Sequence, residues 1–354
     1  MLEGRKNSIL IVLIAGIGDL VLASKSIRAI RRGYPESNIH LLTSTEASPI
    51  GRNFPFVDYV WTFPIREFRK KKINIGKIFK LILKLRKIDF LAAINLYRVT
   101  SWCGSFKMGF LFLSLKAGKK LGHDKYGFGF FLDRKASEDT YGEMHFADSM
   151  MEIARISGGI PDDRGIEAFY RSDSKERWGH LFQPKKECGR NPIIAINPGA
   201  DQANKRWSPH NFAVVADCLM DSLNAKIFLL GGPGEELLVL KIKRWMKNDV
   251  VDLSGQLTLD DLVYVIDKCD LLITNDSGPM HIAAAVKTPL VALFGPETPI
   301  HTRPYTDEQL YRVLYKGNNA KKDHSKNYGL DLITPKEVLL ACIDLLTEGR
   351  NRDK

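Results

Sequence analysis

Residues 9–42, ILIVLIAGIGDLVLASKSIRAIRRGYPESNIHLL, contain the pattern that decides the fold. The run 9–14 is apolar and rich in β-branched side chains, so it predicts a strand that is buried on both faces of a parallel sheet. A helical pattern follows over residues 20–32 and ends at Gly33. Because residues 39–42 predict the next strand, the chain opens with a βαβ unit.

The second half of the chain repeats this alternation more clearly. Apolar runs predict strands at 192–196, 226–230, 250–253, 271–274 and 289–294, with helical patterns between them. Such an alternation is typical of a doubly wound parallel sheet. In the first half, 57–61 and 90–96 also predict strands, whereas 97–140 is rich in glycine and aromatic residues and fits no regular element.

We therefore predict an α/β protein of two doubly wound, Rossmann-like domains that face a central cleft. Residues 157–186 are polar and contain a glycine pair and a proline, which is typical of a crossover between domains. The predicted divisions are an N-terminal domain at 1–170, a linker at 171–190, a C-terminal domain at 191–334, and a helix and tail at 335–354.

The composition is that of a globular protein, with 44% hydrophobic and 26% charged residues and a net charge of +11. This charge favours anionic partners, which include nucleic acid, an acidic membrane surface and a phosphorylated substrate. The five cysteines are far apart and form no CxxC, which argues against a disulfide framework or a zinc site and favours a cytoplasmic protein. No stretch reaches the roughly 18 apolar residues of a membrane span.

The first candidate site is the turn Gly16-Ile17-Gly18-Asp19, between the first predicted strand and its helix. We expect Gly16 and Gly18 to permit a tight turn and a close approach of the acceptor to the backbone. Asp19 can then act as a general base on an acceptor hydroxyl. An acidic residue in a first helical turn is also common for structural reasons, and spacing alone favours that interpretation.

A second glycine turn follows the strand at 192–196 and contains Gly199, Ala200 and Asp201. Lys205 lies shortly after this turn and before a helix. Backbone N–H groups and a cation in this arrangement suit a diphosphate. Lys205 can then stabilise the charge that develops on a departing nucleoside diphosphate. A solvated basic loop explains the same spacing equally well.

The third turn, TNDSG at 274–278, ends a strand and leads into a helix whose first turn contains Pro279. Free N–H groups of Ser277, Gly278 and Met280 at the start of that helix predict a second anion site, to which Pro279 cannot contribute a donor. The alternatives are a capping aspartate and a core histidine, and the latter is favoured for His281. The candidate donor-binding residues here are Asp276, Ser277, Gly278, Met280 and His281.

A weaker signal is the glycine turn at 231–234, which is followed by Glu235 and Glu236. A carboxylate at this point of a nucleotide-binding sheet can accept hydrogen bonds from ribose hydroxyls. Acidic residues are also favoured in a first helical turn by the helix dipole, so the structural interpretation is at least as strong.

Taken together, the three stretches at 8–42, 197–213 and 271–299 resemble glycosyltransferase family 9, the heptosyltransferases of lipopolysaccharide core assembly. The segment SGPMHIAAA followed by PLVALFGP is the most specific. The resemblance implies a GT-B fold in which the N-terminal domain binds the acceptor and the C-terminal domain binds the nucleotide-sugar donor. It also implies an inverting transfer that uses no metal or other cofactor. The implied co-substrate is a nucleotide sugar, with ADP-heptose the usual donor in the family.

The resemblance also implies a role for individual residues. Asp19 matches the family's proposed catalytic base, and Lys205 matches the lysine on the donor phosphates. Either Glu235 or Glu236 matches the ribose carboxylate. The donor-binding turn is matched by Asp276, Ser277, Gly278 and His281.

Residues 66–87 combine many cations with interleaved apolar side chains and a single acidic residue, Glu67. Such a basic amphipathic element suits an anionic membrane face or a phosphorylated glycolipid. The alternative is a solvated helix face packed on the N-terminal domain. Because the resemblance implies a lipid-linked acceptor, we favour a cytoplasmic protein that is peripheral on the inner face of the inner membrane.

Other functions fit parts of the pattern. A GT-B enzyme with a UDP- or GDP-sugar donor would share these motifs, and so would a non-catalytic sugar-nucleotide-binding protein. We expect no nucleic-acid partner, because the basic residues cluster in one helix and no nucleic-acid motif is visible.

Overall fold

A computed structural model describes residues 7–69, 75–137, 144–182, 191–317 and 329–352. Several parts of the sequence predictions lie outside these ranges: residues 1–6 and 138–143 of the first predicted domain, 70–74 of the basic segment, 183–190 of the predicted linker, 318–328 of the second predicted domain and 353–354 of the predicted tail. The chain forms two compact units, Met1–Ile166 and Glu167–Lys354. Among the described helices, none is both long and apolar enough to cross a membrane.

The described part of the first unit alternates strands and helices. In chain order its elements are β1 (Ser8–Leu13), α1 (Ile17–Gly33), β2 (Asn38–Ser44), α2 (Ser48–Arg52), β3 (Tyr59–Phe63), α3 (Ile65–Arg69), α4 (Ile75–Leu85), β4 (Asp89–Asn95), α5 (Trp102–Ser114), β5 (Lys116–Asp124), β6 (Arg134–Ser137) and α6 (Phe146–Ile156). The strands form one parallel sheet in the order β3-β2-β1-β4-β5-β6.

The second unit has the same architecture. In chain order its elements are α7 (Ser172–Trp178), β7 (Ile193–Asn197), α8 (Pro209–Leu223), β8 (Lys226–Leu229), α9 (Glu236–Trp245), β9 (Val251–Asp252), α10 (Leu259–Lys268), β10 (Leu271–Asn275), α11 (Gly278–Val286), β11 (Leu290–Phe294), β12 (Tyr311–Tyr315) and α12 (Pro335–Arg352). Its parallel strands are ordered β12-β11-β10-β7-β8-β9. The prediction of an α/β protein with two doubly wound sheets is therefore confirmed.

The structure adds elements that the sequence pattern did not indicate. In 97–140 it has α5, β5 and β6, and after residue 300 it has β12 at an edge of the second sheet. Residues 167–182, which the sequence analysis divides between the first domain and a linker, belong to the second unit. The reason is packing, because Arg177 of α7 forms an ion pair of 2.7 Å with the buried Asp261 of α10.

A buried ion pair fixes the end of the first unit on α1. Arg28 is 3% exposed, and its guanidinium lies 2.7 Å from a carboxylate oxygen of Asp162. Hydrogen bonds from Arg28 and Arg164 hold the pKa of Asp162 well below its usual range. Separating the two residues would leave the buried charge of Arg28 without its counter-ion, which is energetically costly. The ion pair therefore holds the segment after α6 against α1.

The strand orders locate the sites that each sheet offers to a ligand. In both sheets the connections reverse direction between two neighbouring strands: β1 and β4 in the first unit, and β7 and β10 in the second. Doubly wound sheets bind ligands outside the carboxyl ends of the strands at this switch point. Three of the four predicted turns follow directly from these strands.

Candidate functional site

At the switch point of the first unit, Asp19 caps the helix that follows β1. The Gly16 N–H donates a 3.1 Å hydrogen bond to Asp19 Oδ2, so the carboxylate in the first helical turn caps the N–H that precedes α1. The structural role that spacing favoured is therefore present, and it is compatible with a second role as a base. The φ of Gly16 is −72°, which any residue adopts, so the backbone conformation at this position does not require glycine. The close approach of an acceptor that Gly16 and Gly18 would permit stays a prediction.

The other strand at this switch point ends in a turn that the sequence analysis missed. Asn95 of β4 is buried; its side-chain amide donates to the Tyr97 carbonyl, and its Oδ1 accepts from the Tyr97 N–H. The pairing of Val12 with Asn95 brings this turn level with the end of β1. Tyr97 and Arg98 thus join Asp19 at the same edge of the sheet.

In the second unit, three side chains join the two strands of the switch point. The Asn197 amide, at the end of β7, lies 3.4 Å from Thr274 Oγ1 and 3.3 Å from Ser277 Oγ, both at the end of β10. The two hydroxyls are 3.2 Å apart. These bonds hold the turns at 197–201 and 274–278 side by side, although the two lie far apart in the sequence.

Asn275 ties the same two turns together from the buried side. Its side chain is fully buried; Nδ2 donates a 2.8 Å hydrogen bond to the Pro198 carbonyl, and Oδ1 accepts one of 3.1 Å from the Trp207 N–H. Trp207 is itself fully buried, and its indole N–H donates to the Ile333 carbonyl. Asn275 thus anchors the loop that contains Lys205 to the core, through Pro198 before the loop and Trp207 after it.

Lys205 and Asp276 form an ion pair across the two turns. Lys205 Nζ lies 2.8 Å from Asp276 Oδ2, with the side chains 18% and 10% exposed. The neighbouring Arg206 donates twice to the Ala200 carbonyl, at 2.9 and 2.7 Å, so its cation shapes the loop. The loop is therefore organised by specific bonds and differs from the solvated basic loop that spacing allowed. Asp201 is exposed at this turn.

The structure distinguishes the two candidate ribose carboxylates. A side chain added at Gly199 would collide with the half-buried carboxylate of Glu235, which therefore lies against the turn after β7. The same carboxylate accepts a 2.8 Å hydrogen bond from the Gly232 N–H. The exposed Glu236 lies instead against Gly255, away from that turn. Of the two residues, Glu235 is the one that the fold brings to the predicted donor turn.

The start of α11 agrees with the prediction in part. Ser277 is the N-cap and Gly278 the first helical residue, so backbone N–H groups point out from the helix N-terminus at this place. The expectation that the Met280 N–H is free is wrong, because it donates to the Ser277 carbonyl at 3.1 Å. The Met280 side chain is fully buried, and His281 is 6% exposed, which fits the core-histidine interpretation.

The second unit thus combines, at one switch point, an ammonium group, the N-terminus of a nine-residue helix and a carboxylate at the neighbouring strand end. A cation and helix N–H groups attract a phosphate, whereas a carboxylate accepts hydrogen bonds from hydroxyls. This chemistry suits a nucleoside diphosphate, with its phosphates near Lys205 and its ribose near Glu235.

The Asn275 bridge gives a first testable prediction. Asn275→Ala leaves the Pro198 carbonyl and the Trp207 N–H without their buried partner, at a cost of about 1–3 kcal/mol for each group. We expect urea unfolding to show a loss of about 2–5 kcal/mol in the free energy of unfolding. Gln202→Ala, at an exposed position of the same loop, should change it by less than about 0.5 kcal/mol. An equally small change in Asn275→Ala would mean that the bridge does not hold the turns.

Comparison with protein families assigns the chain. Residues 78–330 match the model of glycosyltransferase family 9 (heptosyltransferase), which is more than half of the sequence. The chain belongs to glycosyltransferase family 9. The match includes every element of the second unit's switch point, and the prediction that the protein is an enzyme of the glycosyltransferase class is confirmed.

Individual members of glycosyltransferase family 9 resemble the chain over nearly its whole length. Lipooligosaccharide heptosyltransferase 2 of Haemophilus influenzae is 26% identical, over 96% of this chain and 100% of its own. The structure of E. coli ADP-heptose LPS heptosyltransferase II has a TM-score of 0.76 and 23% identity, over 97% and 99% of the two chains. An E. coli heptosyltransferase solved with ADP has a TM-score of 0.73 and 16% identity, over 96% and 99%. This likeness confirms the GT-B fold class.

Within this family 9 glycosyltransferase, sequence reasoning missed the residues that position the candidate site. Asn197, Thr274 and Asn275 end two otherwise apolar strands, and all three are buried. A polar side chain at the end of a buried strand requires a hydrogen-bond partner. That requirement was a usable signal for a network between the two strand ends, although it does not name the partner.

Proposed function

We propose that this family 9 glycosyltransferase transfers heptose from ADP-heptose to a lipopolysaccharide core or a related glycolipid acceptor. The observation that carries the proposal is the Lys205–Asp276 ion pair at the N-terminus of α11, beside the Glu235 carboxylate. The relatives support the choice of sugar, because they are named heptosyltransferases and one was solved with ADP.

We propose that the diphosphate of the donor binds between Lys205 and the first turn of α11. Negative charge develops on the leaving phosphate as the bond to the sugar breaks. The ammonium group and the backbone N–H groups stabilise this charge, so the transfer proceeds without a divalent metal. Asp276 keeps Lys205 oriented before the donor arrives, and the phosphate oxygens then share the cation.

We further propose that the acceptor hydroxyl is activated by Asp19. The carboxylate accepts the proton of the hydroxyl as its oxygen attacks the anomeric carbon from the face opposite the diphosphate. A single displacement of this kind inverts the configuration at the anomeric carbon. Asp19 suits the role because it lies half-buried at the carboxyl end of β1, the edge at which a doubly wound sheet binds its ligands.

The proposed acceptor is lipid-linked, so we place the enzyme at the cytoplasmic face of the inner membrane. The described part of the basic segment supports this, because the exposed side of α4 carries Lys77, Lys80 and Lys84 and has no acidic residue. Such a surface is attracted to anionic lipid headgroups.

Nucleotide binding tests the donor site directly. We expect ADP, in EDTA, to stabilise the protein by about 2.7 kcal/mol when present at about 100 times its dissociation constant. Thermal denaturation with ADP, UDP, GDP or CDP measures this, and Lys205→Ala should weaken the ADP shift. A shift with UDP or GDP in place of ADP would reject the heptose donor but keep the site. Loss of the ADP shift in EDTA would reject metal independence.

If none of the nucleotides shifts the transition, the proposed donor site is wrong. If ADP binds but ADP-heptose gives no product with a lipopolysaccharide core acceptor, and Asp19→Asn changes nothing, the chain is a sugar-nucleotide-binding protein without transferase activity. The two measurements thus separate the binding part of the proposal from the catalytic part.

A further inference from the structure

Helix α5 has large apolar side chains on the side that faces solvent. Trp102, Phe106, Phe110 and Leu113 are 53%, 63%, 64% and 65% exposed. Their spacing of three to four residues places them in one stripe along the helix. The opposite side, which includes Phe112, is buried in the core. The helix is therefore apolar on both sides: one side packs into the core, and the large side chains of the other remain about half exposed or more.

Neighbouring rings widen the stripe into a continuous surface. The ring of Phe130, which is 48% exposed, lies 5.8 Å from that of Phe106, and the ring of Phe128 lies 5.1 Å from that of Trp102. We call Trp102, Phe106, Phe110, Leu113 and Phe130 the aromatic face. Exposed apolar patches of this kind on a single chain mark sites of interaction with a protein or a membrane.

Helix α4 lies on the same side of the sheet as α5. Ile82 of α4 and Phe112 of α5 belong to one core cluster, which also contains Leu10 and Val12 from one face of β1. The outer side of α4 exposes Phe79, at 58%. Two adjacent helices thus present apolar side chains to solvent from the same layer of the unit.

The stretch of sequence that contains these two helices is strongly basic. In the sequence, Asp89 is the one acidic residue between Glu67 and Asp124, whereas lysines and arginines recur throughout this stretch. Among them, Lys80, Lys84 and Lys107 are exposed on α4 and α5. A protein surface with exposed aromatic rings, several lysines and few carboxylates is complementary to a lipid bilayer. The rings suit its hydrocarbon interior, and the lysines suit its anionic headgroups.

We propose that the aromatic face inserts into the headgroup region of an anionic membrane, with α5 parallel to the bilayer and the lysines of α4 on the phosphates. The 13 residues of α5 rise about 20 Å, which is too short to cross a hydrocarbon core of about 30 Å. Tryptophan and phenylalanine are side chains that favour this interface. The inference deepens the proposed function, because a lipid-linked acceptor lies in the same bilayer.

Tryptophan quenching by brominated lipids tests the contact on the full chain. We expect vesicles of brominated phosphatidylglycerol to quench the fluorescence, and vesicles of brominated phosphatidylcholine to quench it much less. Trp102→Phe should remove most of the quenching. Trp245→Phe is the control, because Trp245 is 62% exposed in the second unit but lies outside the aromatic face. Salt near 1 M, where the Debye length is about 3 Å, should weaken the binding.

A second pair of variants separates the apolar contact from the net charge. Phe106→Asp with Phe110→Asp should weaken co-sedimentation with anionic vesicles by about tenfold or more, because two rings leave the interface. Leu237→Asp with Leu240→Asp adds the same charge at exposed positions of α9 and should change binding by only about twofold. A circular dichroism melt verifies that each variant is folded.

Two outcomes would overturn the inference. The first is vesicle binding whose quenching is unchanged in Trp102→Phe. The second is a protein that is dimeric without lipid and becomes monomeric in the Phe106→Asp, Phe110→Asp variant, which would assign the aromatic face to a second copy of the chain. The ADP-induced thermal shift does not depend on this face, so its loss or retention reports on the proposed donor site alone.

Discussion

Lys205→Ala is expected to lower kcat for heptosyl transfer by about 100- to 1,000-fold. The reason is that a preorganised charge aimed at the leaving group contributes about 3–4 kcal/mol to transition-state stabilisation, and the substitution removes it. Steady-state turnover with saturating ADP-heptose and acceptor measures the effect. A loss of less than about tenfold would remove Lys205 from this role.

The ion pair with Asp276 requires a matched control. Lys205→Ala leaves a carboxylate that is only 10% exposed without its cation at 2.8 Å, so the variant loses stability as well as the catalytic charge. Asp276→Asn removes the stranded charge. We therefore compare Asp276→Asn with the double variant, which differ only in the cation. If these two turn over equally fast, Lys205 serves as the counter-ion of Asp276 and not as a group on the leaving phosphate.

Three of the four strands at the switch points, β1, β7 and β10, could be predicted because they are buried on both faces. β1 and β10 read as continuous apolar runs, and in the structure every residue of both is buried. Glycine-containing turns followed each of them, and helical patterns came next. Parallel sheets impose this pattern strongly, since each strand is covered by helices on both sides.

Helix α5 and strand β5 could not be predicted for the opposite reason. The buried side of α5 includes Ser105 and Phe112, whereas Phe106 and Phe110 are exposed. Apolar side chains thus lie on both sides of the helix, and the hydrophobic pattern does not indicate which side faces the core. β5 begins with lysine and contains glycine, which are residues with low strand propensity, yet it pairs with β4 and β6 on its two sides. Both elements form because of their packing in the folded unit, and the local hydrophobic pattern does not reveal that packing.

The candidate site, like the fold, could be predicted from the sequence only in part. The turns were visible as glycine and polar residues after predicted strands, but their mutual positions depend on side chains 77 residues apart in the sequence, such as Asn197 and Thr274. The choice between Glu235 and Glu236 depends on the direction in which each side chain leaves the turn, which spacing does not determine. The residue types of a single turn can be read from the local sequence. The distance between two turns depends on how their strands pair in the sheet, which the local sequence does not show.

Asp19→Asn is expected to lower kcat by about 100- to 10,000-fold and to leave ADP binding unchanged. An amide cannot accept the proton of the acceptor hydroxyl, but its oxygen can still accept the hydrogen bond from the Gly16 N–H that caps α1. The substitution therefore separates the catalytic role from the structural one. Turnover and the ADP-induced thermal shift, measured on the same preparation, provide both readouts.

Asp261 offers the matched control, because it is the third residue of α10 and its carboxylate accepts from the N-cap N–H, as that of Asp19 does in α1. Its side chain accepts from the Thr258 N–H at the start of α10. Asp261→Asn should lower stability, since this carboxylate also pairs with Arg177, and should leave the kcat of the folded enzyme unchanged. If Asp19→Asn behaves like Asp261→Asn, Asp19 only caps its helix. A loss of turnover without a loss of stability identifies Asp19 as the base, because the amide keeps the capping hydrogen bond and loses the proton acceptor.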